Sequence, residues 1–246
     1  MARTHTLAFS PEVHKAAERA LKGTTADQAA FVKAGYAEAQ QRDREARQAD
    51  VEHKREVSAQ ERDFVRGRAE LDPGEQVRVA ARWALRAGAT DADIEEFFGY
   101  GWTNGAALDL EAYRLRMADA ETLRHHTLSR LIQEAAAAEE AIRGAADAAK
   151  ARAEAERAWK SVAEHADAAQ KAWLAEQAAA AAQAEHWKNI AKVSQETADE
   201  LWKNITKPAE ANQETWAKEQ AEAAETAKFW KDIFDRAQDS ENRVKG

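Results

Sequence analysis

The stretch Trp187–Ile205, WKNIAKVSQETADELWKNI, carries the same four residues, WKNI, at both of its ends. Its two tryptophans belong to a series that recurs at nearly equal intervals in the second half of the chain: Trp159, Trp173, Trp187, Trp202, Trp216 and Trp230. Aligning residues 159–195 with residues 202–238 gives 16 identities in 37 positions, and three tryptophans coincide. The pattern indicates a tandem repeat of about 43 residues, with WKNI where the end of one copy meets the start of the next.

The length of the repeat predicts a straight helix. A period of about 43 residues over about twelve turns gives about 3.58 residues per turn, close to the value of an unsupercoiled α-helix. At about 100° per residue, all six indoles fall within about 100° of the helix circumference. Alanines stand midway between the tryptophans, so that large and small side chains alternate along one stripe. Such alternation is typical of helices that interlock with close-packed neighbours.

A stripe of six indoles needs a cover, because soluble monomers rarely expose so large an apolar patch. Neighbouring subunits, other helices of the same chain or lipid could supply it. We expect neighbouring subunits, since indoles packed on protein need alanine holes opposite them and a lipid surface does not. Trp230 is expected near the open end of the stripe. The predicted oligomer interface comprises Trp159, Trp173, Trp187, Trp202, Trp216, Trp230, Ile190, Ile205, Ile233, Ala166, Ala180, Ala209 and Ala223.

Composition favours helix throughout the 246 residues. Most of the apolar 44% is alanine, the best helix former, while only ten glycines and three prolines interrupt the chain. The predicted fold class is all-α, with helix over most of the chain: an elongated, coiled-coil-like protein with a small helical knot and the tandem Trp/Ala repeat. The net charge of −8 argues against a nucleic-acid-binding surface, and the lack of cysteine excludes disulfides and thiolate metal sites. The N-terminus lacks the apolar core of a signal peptide, and no stretch is long enough to span a bilayer.

Three segments are predicted. Residues 1–72 form N-terminal helices with a charged arm, Gln40 to Asp63, which we expect to be solvated and labile to hydrogen exchange. Residues 73–117 form the compact knot, after the LDPGEQ boundary. Residues 118–246 form a long helix with repeats at 159–201 and 202–244, either continuous from the knot or joined near Gly144. Pro208 is expected to kink or break this helix, and the unbroken phase of the tryptophans favours a kink over a hairpin.

The knot resembles one known family. Residues 84–117 resemble the helix-turn-helix of phage small terminase subunits and of some transposon repressors, through the Thr90-Asp91 cap, Ile94, Phe97-Phe98 and a turn at Gly99. The resemblance implies a DNA-packaging adaptor. However, Asp109 and Glu111 precede Arg114 on the would-be recognition helix and would repel phosphate. No DNA-binding residue is therefore assigned.

Catalytic chemistry is not predicted. No phosphate loop, nucleophile elbow or HExxH motif is present, and the adjacent His125 and His126 point away from any common metal. No catalytic, cofactor-binding or metal-binding residue is assigned, and no cofactor is expected. We expect a non-enzymatic structural protein, a homo-oligomeric rod, ring or tube of a bacteriophage virion assembled in the bacterial cytoplasm, bound to other structural proteins. The alternatives are a cytoplasmic phasin-like protein on a membrane or granule surface, supported by Trp-Lys pairs, and the DNA-packaging adaptor.

Overall fold

The computed structural model describes residues 10–197 and 200–246. Helix accounts for 93% of the structure, and no strand occurs in the described residues, which confirms the all-α prediction. The order of elements is α1 (Pro11–Lys22), α2 (Thr25–Ala30), a π-helical segment (Phe31–Gly35), α3 (Tyr36–Leu71), α4 (Glu75–Ala84), α5 (Asp91–Glu96), a second π-helical segment (Phe97–Gly101), α6 (Trp102–Ala141), a 3₁₀ turn (Ile142–Gly144), α7 (Ala148–Glu196) and α8 (Glu200–Lys245).

The chain forms two compact units that divide between Phe64 and Val65, inside α3. The first unit contains α1, α2, the first π-helical segment and the greater part of α3. The second contains α4 to α8, so the predicted knot and the long Trp/Ala helices belong to one unit. The boundary expected at residue 117 falls inside α6 and separates nothing, because the aromatic side chains of the knot pack on α7 and α8.

The second unit is built around three long helices, α6, α7 and α8, of 40, 49 and 46 residues. Contacts between α7 and α8 join their facing ends, Ser194 to Thr206 and Glu156 to Lys245, so the two helices are antiparallel. Both pack on α6, which runs parallel to α8, because Arg114 pairs with Glu219 and Glu139, further along α6, pairs with Arg243, further along α8. The result is an up-down-up bundle, with its helices roughly 60–75 Å long at the usual rise per residue.

Two predictions about helix ends are settled by this bundle. The chain does divide near Gly144, where the 3₁₀ turn ends and Ala145 is extended. A kink or a break is expected at Pro208 from the sequence; α8 continues through this residue without a break, and the chain reverses direction between α7 and α8. Pro208 is the ninth residue of α8, so its missing N–H removes one hydrogen bond from the helix. The carbonyl oxygen of Pro208 accepts a hydrogen bond from the Asn212 side chain at 3.0 Å.

The indole stripe forms the core of the bundle. Trp173, Trp187, Trp202, Trp216 and Trp230 are buried within the single chain, and Trp159 is half-buried. Two pairs of alanines matched by the tandem repeat are buried alike. The alanine pairs Ala166 and Ala209, and Ala180 and Ala223, are almost completely inaccessible. The indoles of both helices pack largely on α6 and the π-helical segment before it: Trp187 on Trp102, Trp202 on Phe98 and Trp216 on Tyr113.

Candidate interaction site

One helical unit occurs twice in this protein. The order helix, short helix, π-helical segment, long helix describes both residues 10–46, here the N-terminal copy, and residues 74–112, here the C-terminal copy. From the second helix onward the two copies align without a gap. The identical pairs in this part are Thr24/Thr90, Ala26/Ala92, Asp27/Asp93, Phe31/Phe97, Gly35/Gly101, Asp43/Asp109, Glu45/Glu111 and Ala46/Ala112.

In each copy, a carboxylate of the long helix caps the N-terminus of the first helix. In the N-terminal copy, Asp43 accepts hydrogen bonds from the backbone N–H groups of Glu12 (2.9 Å) and Val13 (3.1 Å) at the start of α1. In the C-terminal copy, Asp109 accepts from Gln76 (2.9 Å) and Val77 (3.1 Å) at the start of α4. A negative group at a helix N-terminus satisfies unpaired N–H groups and complements the helix dipole. This tie fixes the first helix on the long helix.

The short helices begin with the same capping box. Asp27 accepts hydrogen bonds from the backbone and hydroxyl groups of Thr24, and Asp93 accepts from the same groups of Thr90. These hydrogen bonds from Thr24 lower the pKa of Asp27. Those from Thr90, with Arg86 alongside, lower the pKa of Asp93 to about 2. Both shifts therefore have a structural cause.

A wide turn leads from each short helix into the long one. The Tyr36 N–H donates to the Phe31 carbonyl, and the Trp102 N–H donates to the Phe97 carbonyl, which are the i to i+5 bonds of a π-helix. Gly35 and Gly101 lie against the Phe31 and Phe97 rings, where an added Cβ would be tightly placed. The two copies thus share their capping, their π turn and their helix-to-helix tie.

The apolar face of the C-terminal copy is filled by the bundle. Phe98 meets Trp202 with ring centroids 5.4 Å apart, and Trp102 stacks on Trp187 at 5.5 Å. Phe97 stacks on Trp102 at 6.0 Å, completing an aromatic cluster. These two partner indoles begin the two WKNI segments. The tryptophans of the repeat junction, Trp187 and Trp202, therefore pack the end of the α7–α8 hairpin on the C-terminal copy.

The corresponding face of the N-terminal copy is an open groove of about 480 Å³. The contrast is sharpest at one matched pair, because Val32 is 80% exposed where Phe98 is 2% exposed. Leu21 is also exposed, at 75%. The residues lining the groove are Val13, His14, Ala17, Glu18, Ala20, Leu21, Gln28, Phe31, Val32 and Tyr36. This groove is the candidate interaction site.

Glutamates of α6 orient the indoles of the bundle. Glu121 accepts hydrogen bonds from the Nε1 groups of Trp173 (2.7 Å) and Trp230 (2.9 Å). Glu139 accepts from Trp159 Nε1 at 2.9 Å. Because the indole N–H is a donor that needs a partner when buried, each carboxylate fixes the rotation of its ring. These glutamates were not singled out by the sequence, since their partners are distant along the chain.

The predicted interface residues lie inside the chain. Trp202, Ile205 and the four alanines are buried between helices of one molecule, as are Trp173, Trp187, Ile190, Trp216 and Trp230, whereas Trp159 and Ile233 are half-buried. In this structure they are covered by other helices of the same chain. An interface between subunits through these residues stays a prediction, and it requires helices to be exchanged between chains.

The helix-turn-helix expectation is not met in the structure. Residues 91–141 are helical throughout, so Gly99 lies within the π-helical segment and makes no turn. The first arginine of the would-be recognition helix, Arg114, pairs with Glu219 of α8. Tyr113 and Met117 on the same helix are buried in the bundle. Helix α6 is thus a bundle helix rather than a recognition helix.

Metal-binding clusters and membrane-spanning helices are both absent from residues 10–197 and 200–246. That part of the chain holds no group of three His, Asp or Glu side chains placed to bind a metal. No helix within it has both the length and the apolar character needed to cross a bilayer. Burial raises the pKa of Tyr113 to about 12, with the charges of Glu176 and Glu219 adding to the effect. Its ring packs on Trp216 at 5.1 Å, so this shift has a structural cause as well.

The duplicated unit could have been found from the sequence. The segments VHKAAERALK (residues 13–22) and VRVAARWALR (residues 77–86) are identical at half of their positions, and the Thr-x-Ala-Asp box follows each. The alanine richness of the chain conceals this signal. Comparison of the chain with protein-family models, with curated proteins and with solved structures finds no match in any of the three.

Proposed function

We propose that this protein is a non-enzymatic structural component of a homo-oligomeric helical assembly. The favoured setting is a bacteriophage virion, assembled in the bacterial cytoplasm, in which the protein also contacts other structural proteins. The observation that carries the proposal is the antiparallel pairing of α7 with α8, two helices that carry the tandem repeat and whose matched alanines are buried. A helix that packs antiparallel on a near-copy of itself is self-complementary, which is the property that a two-fold interface needs.

The same pairing is available between two chains. Trp187 and Trp202 are separated by about four helical turns, which keeps them on one face of a continuous helix. Neither glycine nor proline occurs between Gly144 and Pro208. If α7 and α8 join into one helix, two chains placed antiparallel reproduce every α7–α8 contact of the hairpin. Exchange of identical elements between protomers forms oligomers at low cost because no new interface is required. The predicted interface residues then serve between subunits.

A cysteine pair tests this proposal without weakening the indole core. Ser194 Oγ and Thr206 Oγ1 lie 2.9 Å apart across the α7–α8 pair, and the chain has no cysteine of its own. Oxidised Ser194→Cys/Thr206→Cys protein forms a bond within one chain in the hairpin and between two chains after exchange. We expect a covalent dimer on a non-reducing gel whose yield rises with protein concentration during assembly.

Two controls make the result specific. Ser194→Cys alone and Thr206→Cys alone should give no covalent dimer, since residue 194 faces residue 206 of the other helix in both arrangements. Light scattering of the parent protein should show particles above the single-chain mass of 27.2 kDa. Exclusively intrachain bonds, together with a single-chain mass at every concentration, would overturn the homo-oligomeric assembly.

A further inference from the structure

We propose that the open groove of the N-terminal copy binds the end of a helical hairpin supplied by a different polypeptide. The partner presents an aromatic side chain from each of two adjacent helices, as the two WKNI segments present Trp187 and Trp202 in this chain. This proposal concerns a second surface and goes beyond the assembly proposed above. It identifies the groove as a protein-binding site and states the chemistry of its ligand.

The C-terminal copy already uses the same face to bind a hairpin end. There, Phe98 and Trp102 receive Trp202 and Trp187 of the hairpin end. The N-terminal copy has the same capping carboxylate and the same π turn, at matching distances. Its face is therefore held in the same backbone geometry, with Val32 and Leu21 exposed. A preformed apolar groove of this kind is a typical seat for helical ligands.

Each chain has more of these apolar faces than it has hairpin ends to cover them. Each chain has two copies of the unit but one pair of WKNI segments, and the C-terminal copy already holds that pair. A second molecule of this protein has its own pair occupied in the same way. Exchange of helices between chains does not change this balance, because every chain still contributes two copies of the unit and one pair of WKNI segments. The groove is therefore left for another polypeptide.

The side chains of the N-terminal groove also differ from their counterparts in the C-terminal copy. At matched positions, Gln28 replaces Ile94, Val32 replaces Phe98 and Tyr36 replaces Trp102. Each replacement is smaller or more polar than its counterpart. The N-terminal groove thus contributes less of its own apolar volume, and its ligand must contribute more. An indole-bearing hairpin end supplies that volume, whereas a small polar ligand leaves the apolar walls exposed to water.

The test uses the full chain and a defined probe. The probe is a fluorescent peptide of residues 183–209 whose arms are joined by a disulfide between cysteines replacing Ser194 and Thr206. The linkage preserves the hairpin, and circular dichroism establishes that the probe is helical. In the full chain the C-terminal copy is occupied by the chain's own hairpin at high effective concentration, so the probe reports on the groove. Fluorescence anisotropy should show saturable binding of one probe per chain.

Matched variants assign the binding to the groove. Leu21→Glu/Val32→Glu should weaken probe binding at least tenfold, because it places two charges in the apolar seat at side chains that are already exposed. Leu123→Glu changes an equally exposed leucine of α6 (68%) outside the groove and should leave binding unchanged. A probe with Trp187→Ala and Trp202→Ala should bind at least tenfold more weakly. Circular dichroism of each protein variant should match the parent.

Three results would overturn the proposal. A helical probe that does not bind shows that the groove is not a seat for a hairpin end. Equal binding to the parent and to Leu21→Glu/Val32→Glu places the probe elsewhere. Self-association of the parent that is lost in Leu21→Glu/Val32→Glu makes a second copy of this chain the occupant. None of these results depends on the cysteine cross-link across α7 and α8, so the failure of one proposal leaves the other separately testable.

Discussion

The N-terminal and C-terminal copies of the helical unit share a skeleton and differ in what covers it. Asp43 and Asp109 cap the first helix of each copy in the same way, and Thr24 and Thr90 begin the same capping boxes. Yet Val32 is exposed where Phe98 is buried beneath Trp202. Backbone geometry is thus fixed by local polar contacts, whereas the fate of the apolar face depends on which other helices reach it.

The copies also differ in how closely the first helix approaches the long one. At Gly105 an added Cβ would lie 2.9 Å from Val77 Cα, which real side chains do not reach. The matching residue of the N-terminal copy is Ala39, which is completely buried. The C-terminal copy therefore requires glycine for a tighter approach, and the N-terminal copy accommodates a methyl group. Tight packing accompanies the copy whose apolar face is occupied.

The largest effect is expected at the matched pair Phe98 and Val32. Phe98→Ala should lower the free energy of unfolding of the second unit by about 3–5 kcal/mol, because it removes a ring packed on Trp202. Val32→Ala should change stability by less than about 0.5 kcal/mol, as exposed positions do. Urea denaturation measures both by circular dichroism. Tryptophan fluorescence isolates the second unit, since all eight tryptophans lie there. A loss of less than about 1 kcal/mol in the free energy of unfolding for Phe98→Ala would contradict the expected difference between the two faces.

An intermediate effect is expected at Gly105. Gly105→Ala should destabilise the second unit by about 1–3 kcal/mol, because the added methyl group meets the Val77 backbone and overpacks the contact. The matched change in the other copy, Ala39→Gly, should cost about 1 kcal/mol for a different reason, the poor helix propensity of glycine. The same urea titrations serve here. A neutral Gly105→Ala would show that the two copies tolerate the same helix separation.

The smallest effect at neutral pH is expected at Tyr113, which directly follows the C-terminal copy and matches Arg47 directly after the N-terminal copy. An unfolded tyrosine loses its proton near pH 10, whereas burial raises the pKa of Tyr113 to about 12 in the fold. The folded state binds this proton more tightly, so its stabilisation is complete below pH 10 and is lost as the pH rises through 12.

Tyr113→Phe removes the ionisable group and provides the control for the other alkaline titrations. The parent should lose stability more steeply than Tyr113→Phe between about pH 10 and 12, and the two should differ by less than about 0.5 kcal/mol at pH 7. Urea midpoints followed by tryptophan fluorescence at several alkaline pH values provide the measurement. Parallel pH profiles for the two proteins would contradict the placement of this hydroxyl among Trp216 and the glutamates.

Much of the secondary structure could be predicted from the residues because its causes are local. The scarcity of glycine and proline and the abundance of alanine predict helix, and the helical periodicity of Trp159 to Trp230 predicts one apolar stripe. Asp72-Pro73-Gly74 marks the end of α3. The reversal between α7 and α8 carries no such signal, and the alternative of a break at Pro208 does not occur, because one missing hydrogen bond does not interrupt a long helix that packs along α7.

The candidate groove was not predicted, because it depends on the duplication and on the exposure of this face among residues 10–197 and 200–246. The pairs that define the duplication are spread along each copy and are diluted by alanine, unlike the compact WKNI repeat. The hydrogen bonds of Glu121 and Glu139 to the indoles were not predicted for a related reason. Trp159 and Trp173 of α7 reach these glutamates only after one reversal of the chain, and Trp230 of α8 reaches Glu121 only after two.

By itself the sequence determined that this protein is helical, that the tryptophans of α7 and α8 share one apolar stripe, and that a cap at Thr90-Asp91 begins α5. These properties depend on backbone propensities and on contacts within a few residues. Only the tertiary structure decided that the stripe is covered by the chain's own helices and that one of two like faces is filled. An amphipathic helix specifies that its apolar face be buried, but the hydrophobic effect is non-directional and does not specify against which surface.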